Sequence, residues 1–577
     1  MKKKEKIVLV GLILLLVVTI VGVSYAAFSY SKRGEKVNTI TTGQIVMTYT
    51  ETDNIIQIDG ALPTTDKTGT VQLKAGEYFD FNISSTIVGN VNINYEITAK
   101  EVGESTIAGS NIKLYLTKLN GSEEEPLMTP ETYHEESEEN TYTGRPAGEM
   151  SLYKGSMNSS ENNNYRLRMY VDEAYNPQGD GGGLTFSVRI NVYGLAGEKY
   201  VPETTKTLLA ANPVQEEKTN MFNYASNGSF ISSFTSSGPT YGNDPSQVTN
   251  GLFEAEDEDG TSYYFRGNVE NNNVQFGEYP SDYYVYAFGE PQYGANQSLE
   301  ACKQDGFDDK MCTPYKLASA GDKMYWKIVR INGDGSLRLI YNGTSSNPNG
   351  TFYDIENTAF IGKAQYNLEH NDPKYTGYTY DRDIKETDSF IKREVDTWYQ
   401  NTLGKSNYDR MVTSGRFCSD SSGYQDGSFY NFSTDIVPEG TYLYASMGER
   451  LFNFARGASA VANSPTLKCP STSESYGGSY RLKVGLITVD ELAFAGESGG
   501  VVGNSYLNPE TISGHFWSMT PGCFQGGSAL LWSEEEILIY NEVTSSVGVR
   551  PVINVKVDNG FASGDGSVEN PYILNAE

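Results

Sequence analysis

From Ala27 to Gly194, apolar residues recur at alternate positions in short runs separated by polar and glycine-rich stretches. In Val91-Asn92-Ile93-Asn94-Tyr95-Glu96-Ile97 the odd positions are apolar and the even ones polar, a period of two that gives a strand one buried face and one wet face. The same partial alternation, in β-branched and aromatic residues, marks Gln44 to Tyr49, Tyr78 to Ile83, Ile112 to Leu116, Tyr165 to Val171 and Leu184 to Val192. Strands that are wet on one side pair antiparallel, which predicts a β-sandwich over residues 27–201. The acidic stretches Glu123 to Glu125 and Glu135 to Glu139, with Gly181 to Gly183, read as solvated loops between these strands.

The pattern changes after Tyr200. Thr204 to Ala211 fits one short helix, and Ser, Thr, Asn and Gly then dominate through Ser226 to Asn250. That composition is too poor in apolar residues for a core of its own, so residues 202–250 read as a linker. Residues 251–577 mix both periods. Asp388 is placed to cap a helix whose apolar positions Ile391, Val395, Trp398, Tyr399 and Leu403 recur at helical spacing, with Gly404 closing it. Thr488 and Glu491 form a capping box ahead of Leu492, Ala493 and Phe494, and Gly496 ends that helix. Strands are predicted at Trp326 to Ile331, Leu337 to Tyr341, Val484 to Ile487, Ala529 to Trp532, Ile537 to Tyr540 and Val549 to Val555. Asn332-Gly333-Asp334-Gly335 supplies the hairpin turn between the first two, because Asn and Gly tolerate positive φ. The chain as a whole is predicted to be mainly β with an α+β C-terminal half.

The first residues alter the picture of where this chain resides. Lys2, Lys3, Lys4 and Lys6 precede an uncharged run from Ile7 to Val23, the arrangement of a signal peptide or a short membrane anchor over residues 1–26. Ser24 and Ala26 are small residues where a signal peptidase requires them, which sets cleavage between Ala26 and Ala27. In both readings, secreted or membrane-anchored, the bulk of the chain faces outward. Phe28 and Tyr30 lie on one side of the segment that cleavage would release, a pattern suited to completing a sheet edge of its own sandwich or of a neighbour.

A formal charge of -29 opposes nucleic acid as a partner, since phosphates demand a basic surface. The compartment permits disulfides. Cys302 and Cys312 flank a short polar segment, Cys418 and Cys469 are the next natural pair, and Cys523 is left over, although spacing alone does not fix connectivity. His134, His370 and His515 are far apart and none sits in a catalytic phrase, so no catalytic residue is assigned. Asp257-Glu258-Asp259-Gly260 opens like a calcium loop, but Asn268 stands where the bidentate Glu is needed; no metal or cofactor is assigned, and calcium has only this incomplete motif. Tyrosine, with 42 residues, suits half-buried strands and contact surfaces equally.

Two resemblances add to this reading. Gly22-Val23-Ser24-Tyr25-Ala26-Ala27-Phe28, then Ile40-Thr41-Thr42-Gly43-Gln44-Ile45 and Lys74-Ala75-Gly76-Glu77 before Phe79 and Phe81, resemble the TasA and camelysin family of bacterial surface proteins. That resemblance implies a jelly-roll sandwich and, in fibre-forming members, strand addition between subunits. The phrases Tyr325 to Gly335 (with Trp326, Arg330 and Asp334), Trp517 to Gly522 (with Pro521) and Gly548 to Ile553 (with Arg550 and Pro551) resemble an uncharacterised bacterial surface domain similar to C-type-lectin-like and formylglycine-generating-enzyme-like folds. The copper-binding cysteine pair of the oxidase branch lacks its second member here, and the Glu-Pro-Asn phrase of calcium-dependent lectins is only approximated by Glu290-Pro291-Gln292, so neither activity is carried over. Arg550, set in an apolar strand, is expected to need a buried acceptor and to serve structure. Together these features lead us to expect a surface binding or adhesion protein that contacts a glycan or protein. A matrix fibre subunit and an extracellular glycan-active enzyme are the alternatives.

Overall fold

The computed structural model describes residues 29–33, 37–42, 45–51, 56–59, 63–71, 78–87, 92–103, 105–120, 123–157, 160–176, 185–197, 201–215, 231–235, 238–241, 250–290, 295–348, 357–379, 387–419, 422–425, 428–431, 443–445, 466–469, 478–496, 505–507, 515–525, 528–535, 537–556 and 560–574. The predicted leader and its cleavage site, Ala26 and Ala27, lie outside these residues. No helix among the described residues is long and apolar enough to cross a membrane. The chain forms two compact units, Met1–Tyr200 and Val201–Glu577.

The first unit is a sandwich of two sheets. One runs in the order Ser29–Arg33, Thr185–Gly197, Asn92–Glu101, Met150–Met157, and Ile56–Asp59 shares the edge of Thr185–Gly197 with the first strand. The other runs Val37–Thr42, Ile45–Glu51, Tyr78–Ile87, Asn162–Val171, Ile112–Asn120, Glu123–Pro126. Neighbours in both sheets pair antiparallel. Their inner faces share one core, in which Ile93, Ile97, Phe186 and Val192 of one sheet meet Tyr49, Phe81, Leu114 and Leu167 of the other. The predicted strands all form, most of them longer than the alternation alone indicated. Ser29–Arg33 is laid on the sandwich's own Thr185–Gly197 strand, Tyr30 opposite Gly194.

Two expectations for this unit are corrected. The even positions Asn94 and Glu96 are not wet; they are buried along with the odd ones, as is Thr98 beyond them. The acidic loop is the reason. Residues 133–149 fold over the outer face of the sheet, and Asn140 Nδ2 (2.9 Å), Thr143 Oγ1 (2.6 Å) and Arg145 Nε (2.8 Å) all donate to the Glu96 carboxylate. Arg145 also pairs with Glu136 and donates to the Glu138 and Pro146 carbonyls. Glu149 accepts from Thr98 (2.6 Å), Asn191 (3.0 Å) and Tyr193 (2.8 Å). Glu123–Pro126, likewise expected as a solvated loop, is an edge strand whose Glu124 takes both Arg166 and Arg168.

The second unit is built on a ten-stranded mixed sheet. Its main path is Val412–Thr413, Val552–Val555, Leu337–Tyr341, Lys323–Ile331, Asn273–Glu278, Tyr572–Leu574, Phe561–Ser563, and the Gly251–Asp257/Gly260–Arg266 hairpin hangs from Lys323–Ile331. Asn273–Glu278 and Tyr572–Leu574 pair parallel. Asn332–Gly335 turns the chain as predicted, with Gly335 N donating to the Asn332 carbonyl and Gly335 at φ +82°. The predicted strands shift at their ends: Val484 to Ile487 shortens to Val484–Gly485, and Val549 to Val555 becomes Val552–Val555 after a separate Ser546–Gly548.

Phe390–Asn401 is the predicted amphipathic helix, and Ile391, Val395, Trp398, Tyr399 and Leu403 are all buried. Its cap is Ser389, which accepts from Lys392 N at 3.2 Å, and not Asp388, which instead pairs with Lys392 Nζ. The helix also stops at Thr402, short of Gly404. Val489–Ala495 has both halves of the Thr488/Glu491 capping box, and Gly496 closes it in the left-handed region at φ +111°.

The linker reading of residues 202–250 fails over its first part. The Glu203–Ala211 helix sinks Leu208 into the core of the second unit, and Val214 bridges to Leu252. The folded unit therefore starts near residue 201, some fifty positions before the expected boundary at 251. The hairpin of Ile231–Thr235 and Gly238–Tyr241 occupies part of the remainder.

Candidate functional site: an aromatic hairpin

Tyr283-Tyr284-Val285-Tyr286-Ala287-Phe288 is a strand with two characters. Val285 and Ala287 point inward and join Ala295 in a small core of their own. Tyr284, Tyr286 and Phe288 occupy the opposite face; Tyr284 is 43% exposed and Phe288 48%. Burying rings of this size is favourable, so leaving Tyr284 and Phe288 exposed on either side of a half-buried Tyr286 forgoes stability that folding alone would take.

The partner strand Cys312–Ala318 runs antiparallel, placing Lys316 opposite Tyr284, Pro314 opposite Tyr286 and Cys312 opposite Phe288. Cys312 is bonded to Cys302 in the Leu299–Gln304 helix, with Cα atoms 6.1 Å apart. A bridge closing so short a loop contributes roughly 2–4 kcal/mol by restricting the unfolded chain. It also holds residues 303–311 against the hairpin. Within that loop the Phe307 ring stacks on Phe288 with centroids 4.5 Å apart and planes 2° from parallel. Met311, 47% exposed, extends the apolar surface.

The loop is anchored at its root by Asp305. Its carboxylate accepts from Asn296 Nδ2 at 2.8 Å and from Gln365 Nε2, and pairs with Lys363 at 3.3 Å. Asp308 turns the far end, accepting from Lys310 N (2.9 Å) and Met311 N (3.1 Å). At the opposite end of the row, the Ala320 N–H and the nearby Lys316 hold the Asp282 carboxyl below its ordinary range. The result is a preformed row of rings with a polar, charged rim. Rings of this kind present large area with few torsions to freeze, and their edges and hydroxyls are suited to setting orientation.

The residues singled out by the second resemblance serve the scaffold. Trp326 and Trp517 are buried, their indole N–H groups donating to the carbonyls of Phe276 (2.7 Å) and Ala364 (2.8 Å). Pro521 and Gly522 lie in the Phe516–Gln525 strand, and Gly548 ends Ser546–Gly548. The Pro551 carbonyl accepts from Tyr341 N. Arg550 has the buried acceptors expected of it: the carbonyls of Tyr341 (3.1 Å) and Leu507 (2.6 Å) and the amide oxygen of Asn342 (3.2 Å). Asp334 accepts from Ser336 in the turn.

Arg330 belongs to a buried ionic cluster. It donates to Asp257 (2.8 Å) and Glu491 (3.1 Å), while Arg338, opposite Arg330 on the neighbouring strand, donates to Glu491 (3.1 Å) and to the Arg416 carbonyl (3.0 Å). The Asp257–Gly260 stretch that opens like a calcium loop is thus a tight hairpin turn committed to arginines. Asp257 takes Arg330 and Gly333 N, Glu258 lies 3.5 Å from Arg416, and Asp259 lies 3.5 Å from Arg481. Cys418 and Cys469 are bonded to each other beside Glu258, which accepts from Cys469 N. The side chain of Cys523 is outside the described residues, as are Pro291 and Gln292.

The histidines have separate surroundings: His134 contacts the Thr132 carbonyl, His370 faces Glu542 and His515 approaches Asn541. The aromatic hairpin itself escaped the sequence reading. Its signal was present in the alternation of Tyr283 to Phe288, bounded by Pro280-Ser281-Asp282 and Gly289-Glu290-Pro291.

No family model and no curated protein matches this chain. Among solved structures, a DUF4466 family protein from Parabacteroides merdae was returned at 9% identity, covering 50% of this chain and 92% of that chain, with a TM-score of 0.07. A likeness of that size carries no argument here.

Proposed function

We propose that this chain is an exported bacterial surface protein whose second unit recognises a glycan or protein partner through the face built by Tyr284, Tyr286, Phe288, Phe307 and Met311. One observation carries the reading: Tyr284 and Phe288 stand exposed on a hairpin braced by the Cys302–Cys312 bridge and the Asp305 anchor. Rigid rings held away from the core incur little ordering cost on binding. The basic and apolar N-terminal segment supports placement outside the membrane. The likeness to TasA-type and C-type-lectin-like surface proteins supports display of a recognition unit on a sandwich stalk. The function so read is adhesion without bond making or breaking.

Arrays of glycans and of extracellular proteins, probed with the exported chain, test this directly. Truncating an aromatic anchor at an interface costs about 1–2 kcal/mol or more, so Tyr284→Ala with Phe288→Ala should weaken any ligand found by about tenfold or more. The thermal transition should fall only slightly, by the loss of the Phe288–Phe307 stack, worth about 0.5–1.5 kcal/mol. Ligands that bind the double variant as tightly as the parent would place recognition elsewhere.

A further inference from the structure

Lys327 stands apart from the ionic clusters described above. It lies in the Lys323–Ile331 strand, is only 8% exposed, and is directly opposite Asn273, 1% exposed, across the antiparallel pair with Asn273–Glu278. Side chains opposite one another in such a pair leave the same side of the sheet with Cβ atoms about 4.5–5.5 Å apart, a gap that a lysine stem spans. The next pair in register, Trp326 with Val274, turns to the other side, into the main core.

The Asn273 carboxamide is held in one orientation. Its Nδ2 donates to the carbonyls of Glu270 (2.9 Å) and Gly566 (2.8 Å), which identifies the amide nitrogen, and its buried Oδ1 accepts no hydrogen bond among the described residues. A dry, unpaired carbonyl oxygen is costly and calls for an explanation. The facing amine offers one. Burial, and then the like charge of Arg550, pull Lys327 down to about 8 against the opposing influence of Glu270. A share of it is therefore the neutral, nucleophilic amine.

We propose that Lys327 Nζ and Asn273 Cγ become joined in an intramolecular isopeptide bond that links these two strands. The Nζ lone pair attacks Cγ, the Cγ–Nδ2 bond breaks, and the amide nitrogen departs as ammonia carrying the proton that Nζ sheds. Amine and carboxamide thus give a secondary amide and ammonia, with nothing oxidised or reduced. Glu270 carries the proton between the two nitrogens; its charge is felt at Lys327, and its backbone carbonyl holds the departing group. Burial keeps out the water that would compete for the same carbonyl.

Intact mass spectrometry of the exported chain decides the matter. With its own N-terminus and two disulfides accounted for, the chain should be lighter than its sequence by one ammonia, and a digest should yield one branched peptide containing residues 273 and 327. Glu270→Gln should lower the joined fraction severalfold. Lys327→Met and Asn273→Ala should each restore the missing mass. The parent chain needs no variant to overturn the proposal: full mass, or an ammonia lost elsewhere while residues 273 and 327 emerge in separate linear peptides, does so.

Discussion

Each unit buries glutamates among arginines, and the two clusters are wired differently. In the first unit the donors to Glu96 come from residues 140–145, within one loop, and Arg145 keeps Glu136 and two carbonyls as additional partners. In the second, Glu491 accepts from arginines on two adjacent strands while its Oε2 also caps the start of its own helix through Thr488 N. The first cluster fastens a loop to a finished sheet. The second joins a helix to the sheet and thereby helps to define the unit. A buried ion pair is no guarantee of net stability, but removing one partner strands the other, and that cost depends on how many elements the lost group held.

The largest effect is expected for Glu491→Gln. It leaves Arg330 and Arg338 buried against a neutral side chain and weakens the helix cap, which should cost about 3–5 kcal/mol. Denaturant unfolding should show the loss in the second unit alone. An unchanged midpoint would mean that the cluster is dispensable.

Acid provides a milder version of the same lesion. Burial raises the Glu491 carboxyl, but the charges of Arg338 and Arg330 and the Thr488 N–H outweigh it and hold the group below the ordinary glutamate value. The unfolded chain therefore takes up this proton first as pH falls. The stabilising contribution is complete above the ordinary value near ~4.3 and drains as pH drops through the folded one. Thermal unfolding of the second unit should fall over that interval, and the fall should be shallower in Glu491→Gln. Equal slopes in both proteins would assign the acid sensitivity to other carboxylates.

The smallest effect belongs to Glu96→Gln. Arg145 retains its other partners, so the cost should be about 1–3 kcal/mol, that of an imperfectly satisfied buried group. Its effect should also be local: hydrogen exchange should speed up across residues 133–149 while the sandwich core stays protected. Exchange rising across both sheets would erase the contrast between the two clusters.

Much of this was legible in the chain because its causes are local. A period of two made the strands of the first unit, and the Thr488–Glu491 spacing with Gly496 made a helix with both ends specified. Ser389 displaced Asp388 as a cap by one residue, a margin that side-chain chemistry alone does not resolve. What escaped depended on partners distant in sequence. Asn94 and Glu96 read as part of a wet face because the loop that covers this side of the sheet lies about forty residues away. Leu208 read as part of a linker because its pocket is formed by strands beyond residue 250. The aromatic hairpin could not be distinguished from an ordinary half-buried strand until its inner face was seen to be filled by Val285, Ala287 and Ala295. The pairing of Asn273 with Lys327 is a matter of register, which no local pattern states.

The position of Leu208 bears on how such chains can be reshuffled. A recombination event in the polar stretch near residue 250 would appear harmless, joining one cassette to another through serine, asparagine and glycine. It would nonetheless deliver a second unit stripped of the helix that packs Leu208 into its core and of the bridge from Val214 to Leu252. Exchange of the second unit must therefore carry the short helix along, and the seam lies ahead of Pro202, where the strand pattern of the first unit ends, rather than in the polar stretch that follows.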